Sequence, residues 1–251
     1  MPARMSLRNQ SIVAIRNLSY SSLGLIMCLY LSWHALLSVN FFYGFWHDNI
    51  GIAETIAETG PQNRYRSGFE KTDREQRIDL FEQICTAITH QGKGLEHISY
   101  SPEPNTAIPL LHKAEIVHLQ DVANLISVTQ NLEPYLFILW IILLAAFFAK
   151  SWPLPTYRQL LGVNSVLIIG LSGAVLAIGW VEVFYAAHRW IFPDDHQWFF
   201  FYQESLMSTM MQAPDLFLYI GISMFALAVI AFISIHEGLK RIPQRKLATS
   251  D

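Results

Sequence analysis

Residues 18–46 read LSYSSLGLIMCLYLSWHALLSVNFFYGFW, a stretch with no Asp, Glu, Lys or Arg. His34 is its only side chain able to carry a charge near neutral pH. A helix crossing the hydrocarbon core of a bilayer needs about 20 apolar residues, and this run exceeds that. Arg4, Arg8 and Arg16 precede it, as basic residues precede a secretory signal peptide. The apolar core of such a peptide is only about 7–15 residues, so the length favours an uncleaved span.

Three more apolar runs follow. Residues 132–149 form the second, with Glu133 and Pro134 at its edge. Residues 160–187 form the third, with four glycines and one acid, Glu182. The glycines suit close helix packing in lipid. Residues 214–235 form the fourth. Two prolines in residues 150–159 forbid one continuous helix across runs two and three. The composition agrees, since charged residues are 15% of the 251, against about 25% in ordinary soluble domains. Mean hydropathy is +0.29. A net charge of −3 without a basic stripe argues against nucleic acid. Cys28 lies in an apolar run and Cys85 in a polar block, so neither a disulfide between them nor a Cys-x-x-Cys metal site is expected.

The expected fold is an all-α membrane protein, with four transmembrane helices and a small extracytoplasmic cap between helices 1 and 2. Lys and Arg near the span ends set the orientation. Arg4, Arg8 and Arg16 precede helix 1, Lys150 and Arg158 lie between helices 2 and 3, and Lys240, Arg241, Arg245 and Lys246 follow helix 4. The opposite side has only Arg189 in its short loop. The expected order is a cytoplasmic N-terminus (1–17), helix 1 (18–46) and a cap (47–131). Helix 2 (132–149), a cytoplasmic loop (150–159) and helix 3 (160–187) follow. An aromatic extracytoplasmic loop (188–213), helix 4 (214–235) and a cytoplasmic tail (236–251) complete it. Within the cap, residues 70–89 and 114–129 have helical apolar spacing, and residues 92–109 are punctuated by Gly and Pro.

Chemistry concentrates in two segments. In the first, Glu115, His118 and Asp121 are three apart and share one helix face. A carboxylate beside an imidazole fixes its tautomer and leaves the other nitrogen basic. A solvated helix face carrying an incidental histidine is the plainer alternative. The second is His188-Arg189-Trp190-Ile191-Phe192-Pro193-Asp194-Asp195-His196-Gln197-Trp198, followed by Phe199, Phe200, Phe201 and Tyr202. Membrane-interface anchoring explains the rings. A pocket for an acyl chain with a polar head would use the same residue types. Glu182, about two turns before His188, reads as a partner of Arg189 or a helix cap. His34, His47, His90, His97, His112, His196 and His236 lack a partner spacing and read as structural, with His196 the least secure.

The pattern Glu115-x-x-His118-x-x-Asp121-Val122 resembles a motif of the bacterial lipoprotein intramolecular transacylases. So does the later segment: His188 at the end of helix 3, Phe192, Asp194 and Asp195, Trp198, Ser205-Leu206, Pro214 and Phe217. The four-helix layout with one large outer cap is similar as well. Two positions depart from the family pattern: Ala187 stands for a Phe and Ala123 for a Lys.

The resemblance implies an acyltransferase of the bacterial cytoplasmic membrane, multi-pass, with both termini cytoplasmic and the site on the extracytoplasmic face. Its substrates would be diacylglyceryl lipoproteins among membrane lipids. It would move the sn-2 acyl chain onto the α-amino group of the N-terminal cysteine, with no cofactor and no metal. His118, oriented by Asp121, would be the general base. His188 would protonate the glyceryl oxygen or stabilise the oxyanion, and the two roles are exchangeable. Arg189 would hold the oxyanion. Glu115, Trp190, Phe192, Asp194, Asp195, Trp198 and Tyr202 would contact substrate. Two rivals remain open from the residues alone. One is a metal-dependent hydrolase with zinc on His118, Asp121, His188 and Asp194. The other is a non-enzymatic sensor or assembly protein.

Overall fold

The computed structural model describes residues 7–242, apart from the side chains at 7, 166–168 and 171. Arg4, Arg245 and Lys246, which entered the orientation argument, lie outside the described residues. In chain order the helices are α1 (Leu7–Leu37), α2 (Tyr43–Asn49), α3 (Ile52–Thr59), α4 (Arg74–Thr89), α5 (Lys113–Ala149), α6 (Tyr157–Ile178), α7 (Trp180–Ile191), α8 (Leu206–Met211) and α9 (Asp215–Lys240). An antiparallel pair, β1 (Ser99–Tyr100) and β2 (Ile108–Pro109), sits between α4 and α5. The chain is therefore mostly helical, with this one ladder of two-residue strands. Helices α1, α5 and α9 are each long and apolar enough to cross a membrane.

The chain divides into two compact units. Among the described residues, one holds 7–33, 132–178 and 224–242, and the other holds 34–131 and 179–223.

In the first unit, Tyr20, Met27, Trp140, Leu144, Phe147 and Leu160 form the buried core. The Tyr20 hydroxyl lies 2.7 Å from Nδ1 of buried His236. Arg16 stacks its guanidinium on Phe147 and Trp152, 5.3 and 5.1 Å from the ring centres. The ring faces attract the cation, while its buried Nε has no hydrogen-bond partner among the described residues. The close helix approach falls at Gly24, where an added Cβ would come within 2.7 Å of Phe232. Gly162, Gly170 and Gly173, expected to mediate tight packing, have nothing within 4 Å of an added Cβ. Composition flagged small residues, but only contact decides which of them are used.

In the second unit, Asp73 caps α4 by accepting from the Gln76 amide at 2.8 Å. The helix thus starts at Arg74, just past the cap and four residues after Glu70. Phe81 of α4 stacks on Tyr43 of α2, with 4.3 Å between ring centres. The Tyr43 hydroxyl donates to the Met210 carbonyl of α8 at 2.8 Å. Buried Arg77 donates to Thr72 Oγ1 and the Glu70 carbonyl, with His47 Nε2 3.4 Å from Nη1. Those partners satisfy a cation that burial alone would make costly.

Several expected boundaries move. Helix 1 does not run from 18 to 46. It starts by Leu7 and ends at Leu37, because Asn40, Phe41 and Phe42 all adopt left-handed φ of 50–57°. Helix 2 does not begin at 132, since α5 is unbroken from Lys113 to Ala149 with Pro134 inside it. Proline removes one backbone hydrogen bond but does not end a helix held by its neighbours. The 160–187 run is broken at Gly179, whose φ of 85° and ψ of 151° belong to a region essentially reserved for glycine. The 188–213 segment is not all loop, because α7 extends to Ile191 and α8 occupies Leu206–Met211. The last helix extends to Lys240 rather than 235.

Candidate active site

The site belongs to the second unit. It starts at the head of α5, where a histidine replaces the usual Ser or Thr of a capping box. His112 Nδ1 accepts from the amides of Ala114 and Glu115 at 3.2 and 3.4 Å. Glu115 Oε2 accepts from the His112 amide at 2.7 Å. Glu115 Oε1 accepts from the Ser205 hydroxyl at 2.6 Å and from the Met207 amide at 3.2 Å. Ser205 caps α8, its Oγ accepting from the Ser208 amide at 2.8 Å. One carboxylate, 1% exposed, therefore joins the start of α5 to the start of α8. Burial pushes its pKa up, opposed by the hydrogen bond from Ser205.

One turn after Glu115, His118 is 8% exposed. The apolar stretch read as spanning begins only at Leu132, so this end of α5 lies outside it. The His118 ring centre is 6.3 Å from that of His188 on α7. Burial, then the nearness of His188, pushes the His118 pKa down to about 4. His188 is also lowered by burial, opposed by its bond to the Phe184 carbonyl. Its Nδ1 lies 2.8 Å from that oxygen. A carbonyl only accepts, so Nδ1 carries the hydrogen and Nε2 of the neutral ring keeps its lone pair.

Rings enclose the pair. Phe192 is 5.0 Å from His118 and 5.2 Å from His188 between ring centres. Phe200 lies 6.1 Å from His118, and Trp198 lies 5.2 Å from His188. Phe184 stands 3.9 Å from His188 and stacks on Phe217 at 6.0 Å. Two basic imidazoles in an aromatic niche can relay one proton while apolar walls hold a hydrocarbon chain.

A model of the lipoprotein intramolecular transacylase family, Lit, matches residues 23–217. The chain belongs to that family. No curated protein sequence matches it. Among solved structures, the Lit protein of Bacillus cereus is similar at TM-score 0.59 and 16% identity, covering 90% of this chain and 95% of the other. Forms of that protein with a histidine-to-arginine and a histidine-to-alanine substitution are similar at TM-scores 0.60 and 0.59. Each again shows 16% identity and covers 94% of this chain, with 95% and 97% of the other chain covered. These likenesses concern the fold, which in the relatives is that of an integral membrane protein.

Of the residues singled out in this Lit-family chain, His118, His188, Phe192 and Trp198 come together. Asp121 is close but serves a different partner. Its Oδ2 lies 2.6 Å from Nδ1 of His196, and no hydrogen bond joins it to His118 among the described residues. That bond holds the His196 pKa up, since it favours the charged ring. Glu115, expected at the substrate, has both oxygens occupied within the protein. Arg189 and Trp190 are exposed, Trp190 at 87%, on a different face of α7 from His188. Asp194 and Asp195 are exposed. Tyr202 donates to the Ala213 carbonyl at 3.1 Å, away from the histidines. Glu182 lies in the first turn of α7, where an acid complements the helix dipole. No group of three metal-ligating side chains forms among the described residues, so His118, Asp121, His188 and Asp194 are not gathered as one zinc set.

The sequence reading missed Phe184, Phe200 and His196. Phe184 is four residues before His188 on one helix, a spacing that signals a shared face. Phe200 lay unresolved among four consecutive rings. His196 sits in a segment already marked by its acids, but a pair 75 residues apart has no local signature.

Proposed function

We propose that this membrane protein transfers the sn-2 acyl chain of a diacylglyceryl lipoprotein to the α-amino group of its N-terminal cysteine. The observation that carries the reading is the His118–His188 pair, buried together in an aromatic niche.

The reaction forms a bond between the amine nitrogen and the acyl carbonyl carbon, breaks the ester bond between that carbon and the glyceryl oxygen, and moves one proton from nitrogen to that oxygen. It is an isomerisation and consumes no second substrate. With Nδ1 committed to Phe184, His188 Nε2 is the base that takes the amine proton during attack on the ester carbonyl. His118, neutral and facing His188, then acts on the oxygen side, donating to the tetrahedral oxyanion and helping return the proton to the glyceryl oxygen. Mutual repulsion disfavours two protons on the pair, which suits a relay. Such acid–base help contributes about 10²–10⁴ in rate, and holding amine and ester in one molecule adds an orientation term. Phe192, Trp198, Phe200 and Phe184 hold the acyl chain beside the imidazoles. Asp121 is hydrogen-bonded to His196 and acts on His118 through its charge alone, favouring a proton there.

In the proposed arrangement four helices cross the cytoplasmic membrane, α6 among them, with both termini inside. Residues 47–131 form the outer cap, and the site faces outward. The charges that support this orientation are Arg8 and Arg16, Lys150 and Arg158, and Lys240 and Arg241.

The test is tandem mass spectrometry of a diacylglyceryl lipopeptide incubated with the purified protein in lipid. Total mass stays constant while fragment ions move one acyl chain to nitrogen. A chain that remains on glycerol overturns the proposal. Stoichiometric zinc with activity lost to chelators would favour the hydrolase rival instead.

A further inference from the structure

The aromatic segment after α7 is attached to its surroundings unevenly. At its start, the Phe192 amide donates to the His188 carbonyl at 3.0 Å. At its end, the Arg64 amide donates to the Gln203 carbonyl at 2.8 Å, and Arg64 Nη1 to Glu204 Oε1 at 2.9 Å. Between them the side chains of Phe192, Trp198 and Phe200 wall the histidine pair. Over residues 193–201, hydrogen bonds among the described residues are local, such as the His196 amide to the Pro193 carbonyl and Gln197 to the Phe199 carbonyl. One exception reaches another element: His196 to Asp121 on α5. Asp121 is three residues beyond His118, so this bond lands on the helix face carrying one of the two imidazoles.

We propose that His196 is a positioning residue for the acyl shift, clasping the strap of residues 192–201 to Asp121 so that its rings stay closed on the histidine pair. The inference rests on the acyl-transfer reading above. An acyl chain must enter between these rings, so the strap has to part from the pair and return. A single polar clasp at its middle makes that motion cheap while biasing it toward the closed form. The apparent affinity for substrate scales with the closed fraction.

Two carboxylates act on His196, Asp121 from α5 and Asp195 from the strap itself, and both favour the charged ring. The clasp is therefore strongest while His196 is protonated. It weakens as pH rises through the elevated pKa, leaving a neutral donor on the same carboxylate.

The test compares wild type with His196→Leu and His196→Asn in lipid nanodiscs. The asparagine amide can reproduce the Nδ1 donor. Without substrate, hydrogen exchange is read at the amides of 194–201, with α4 amides as the internal reference. His196→Leu shifts the open–closed equilibrium about five-fold, the upper range for a partly exposed ion pair, which near balance raises strap exchange about two-fold, and His196→Asn restores most of the protection. In wild type, strap exchange corrected for intrinsic rate rises toward the leucine variant at alkaline pH. With lipopeptide at neutral pH, His196→Leu raises KM about two-fold and leaves kcat near wild type, because a five-fold shift of an equilibrium near balance divides between the open fraction and the reciprocal of the closed fraction. Unchanged strap exchange in His196→Leu overturns the clasp. A loosened strap with unchanged KM overturns its positioning role. Wild-type protein that forms no product, with the strap still loosened by the substitution, sinks the acyl-transfer reading and supports the clasp.

Discussion

Replacing Ser205 by alanine removes one hydroxyl that serves two bonds at once. Its Oγ donates to Glu115 at 2.6 Å and accepts from the Ser208 amide at 2.8 Å, in a fully buried position. A hydrogen bond to a charged group contributes about 1.5–3 kcal/mol. Loss of an N-cap costs about 1 kcal/mol. Because both losses share one atom and the site relaxes, the expected cost of Ser205→Ala is about 2–3 kcal/mol. For a chain of this size each kcal/mol shifts Tm by about 2–4 °C, so Tm falls by roughly 5–10 °C. The assay is thermal unfolding in detergent, repeated in a Glu115→Gln background. With the carboxylate gone, Ser205→Ala should cost only the cap, giving a coupling of about 1–2 kcal/mol between the two positions. A Tm shift under about 1 °C, or fully additive effects, refutes the bridging role of Glu115. Wild-type Tm with a raised KM in Glu115→Gln would return that residue to the substrate.

Other expectations follow from the same geometry. His188→Asn can still donate to the Phe184 carbonyl but has no base, so product formation by mass spectrometry should fall about 10²–10⁴-fold with Tm retained. Both imidazoles titrate below the ordinary value near 6.5, His118 at about 4, so the neutral pair persists as pH falls. The substrate's α-amino group, ordinarily near about 8, must also be neutral, so kcat falls with that group first. The imidazoles themselves, followed by NMR in the protein without substrate, should titrate below about 6.5, and an imidazole midpoint at or above that value contradicts the burial argument. Gly179→Ala must force a side chain into φ 85°, ψ 151°, and should cost about 1–3 kcal/mol in thermal unfolding.

What the sequence determined by itself was the membrane setting and the family. Long uncharged runs can be buried only in lipid, and that is legible in composition and length. Glu115, His118 and Asp121 share a helix face because their spacing is local, and His188 stood out for the company it keeps. Only the tertiary structure decided who meets whom. Asp121 bonds to His196 rather than His118, and Glu115 turns inward to Ser205. Phe184 sets the His188 tautomer through a backbone carbonyl that no pattern of side chains could announce. Helix ends also waited on the fold: Pro134 continues a helix while Gly179 breaks one, because the outcome depends on neighbouring support and on which φ the chain must take. Periodicity reports which face a residue occupies, whereas hydrogen-bond partners are chosen by chain segments tens of residues apart.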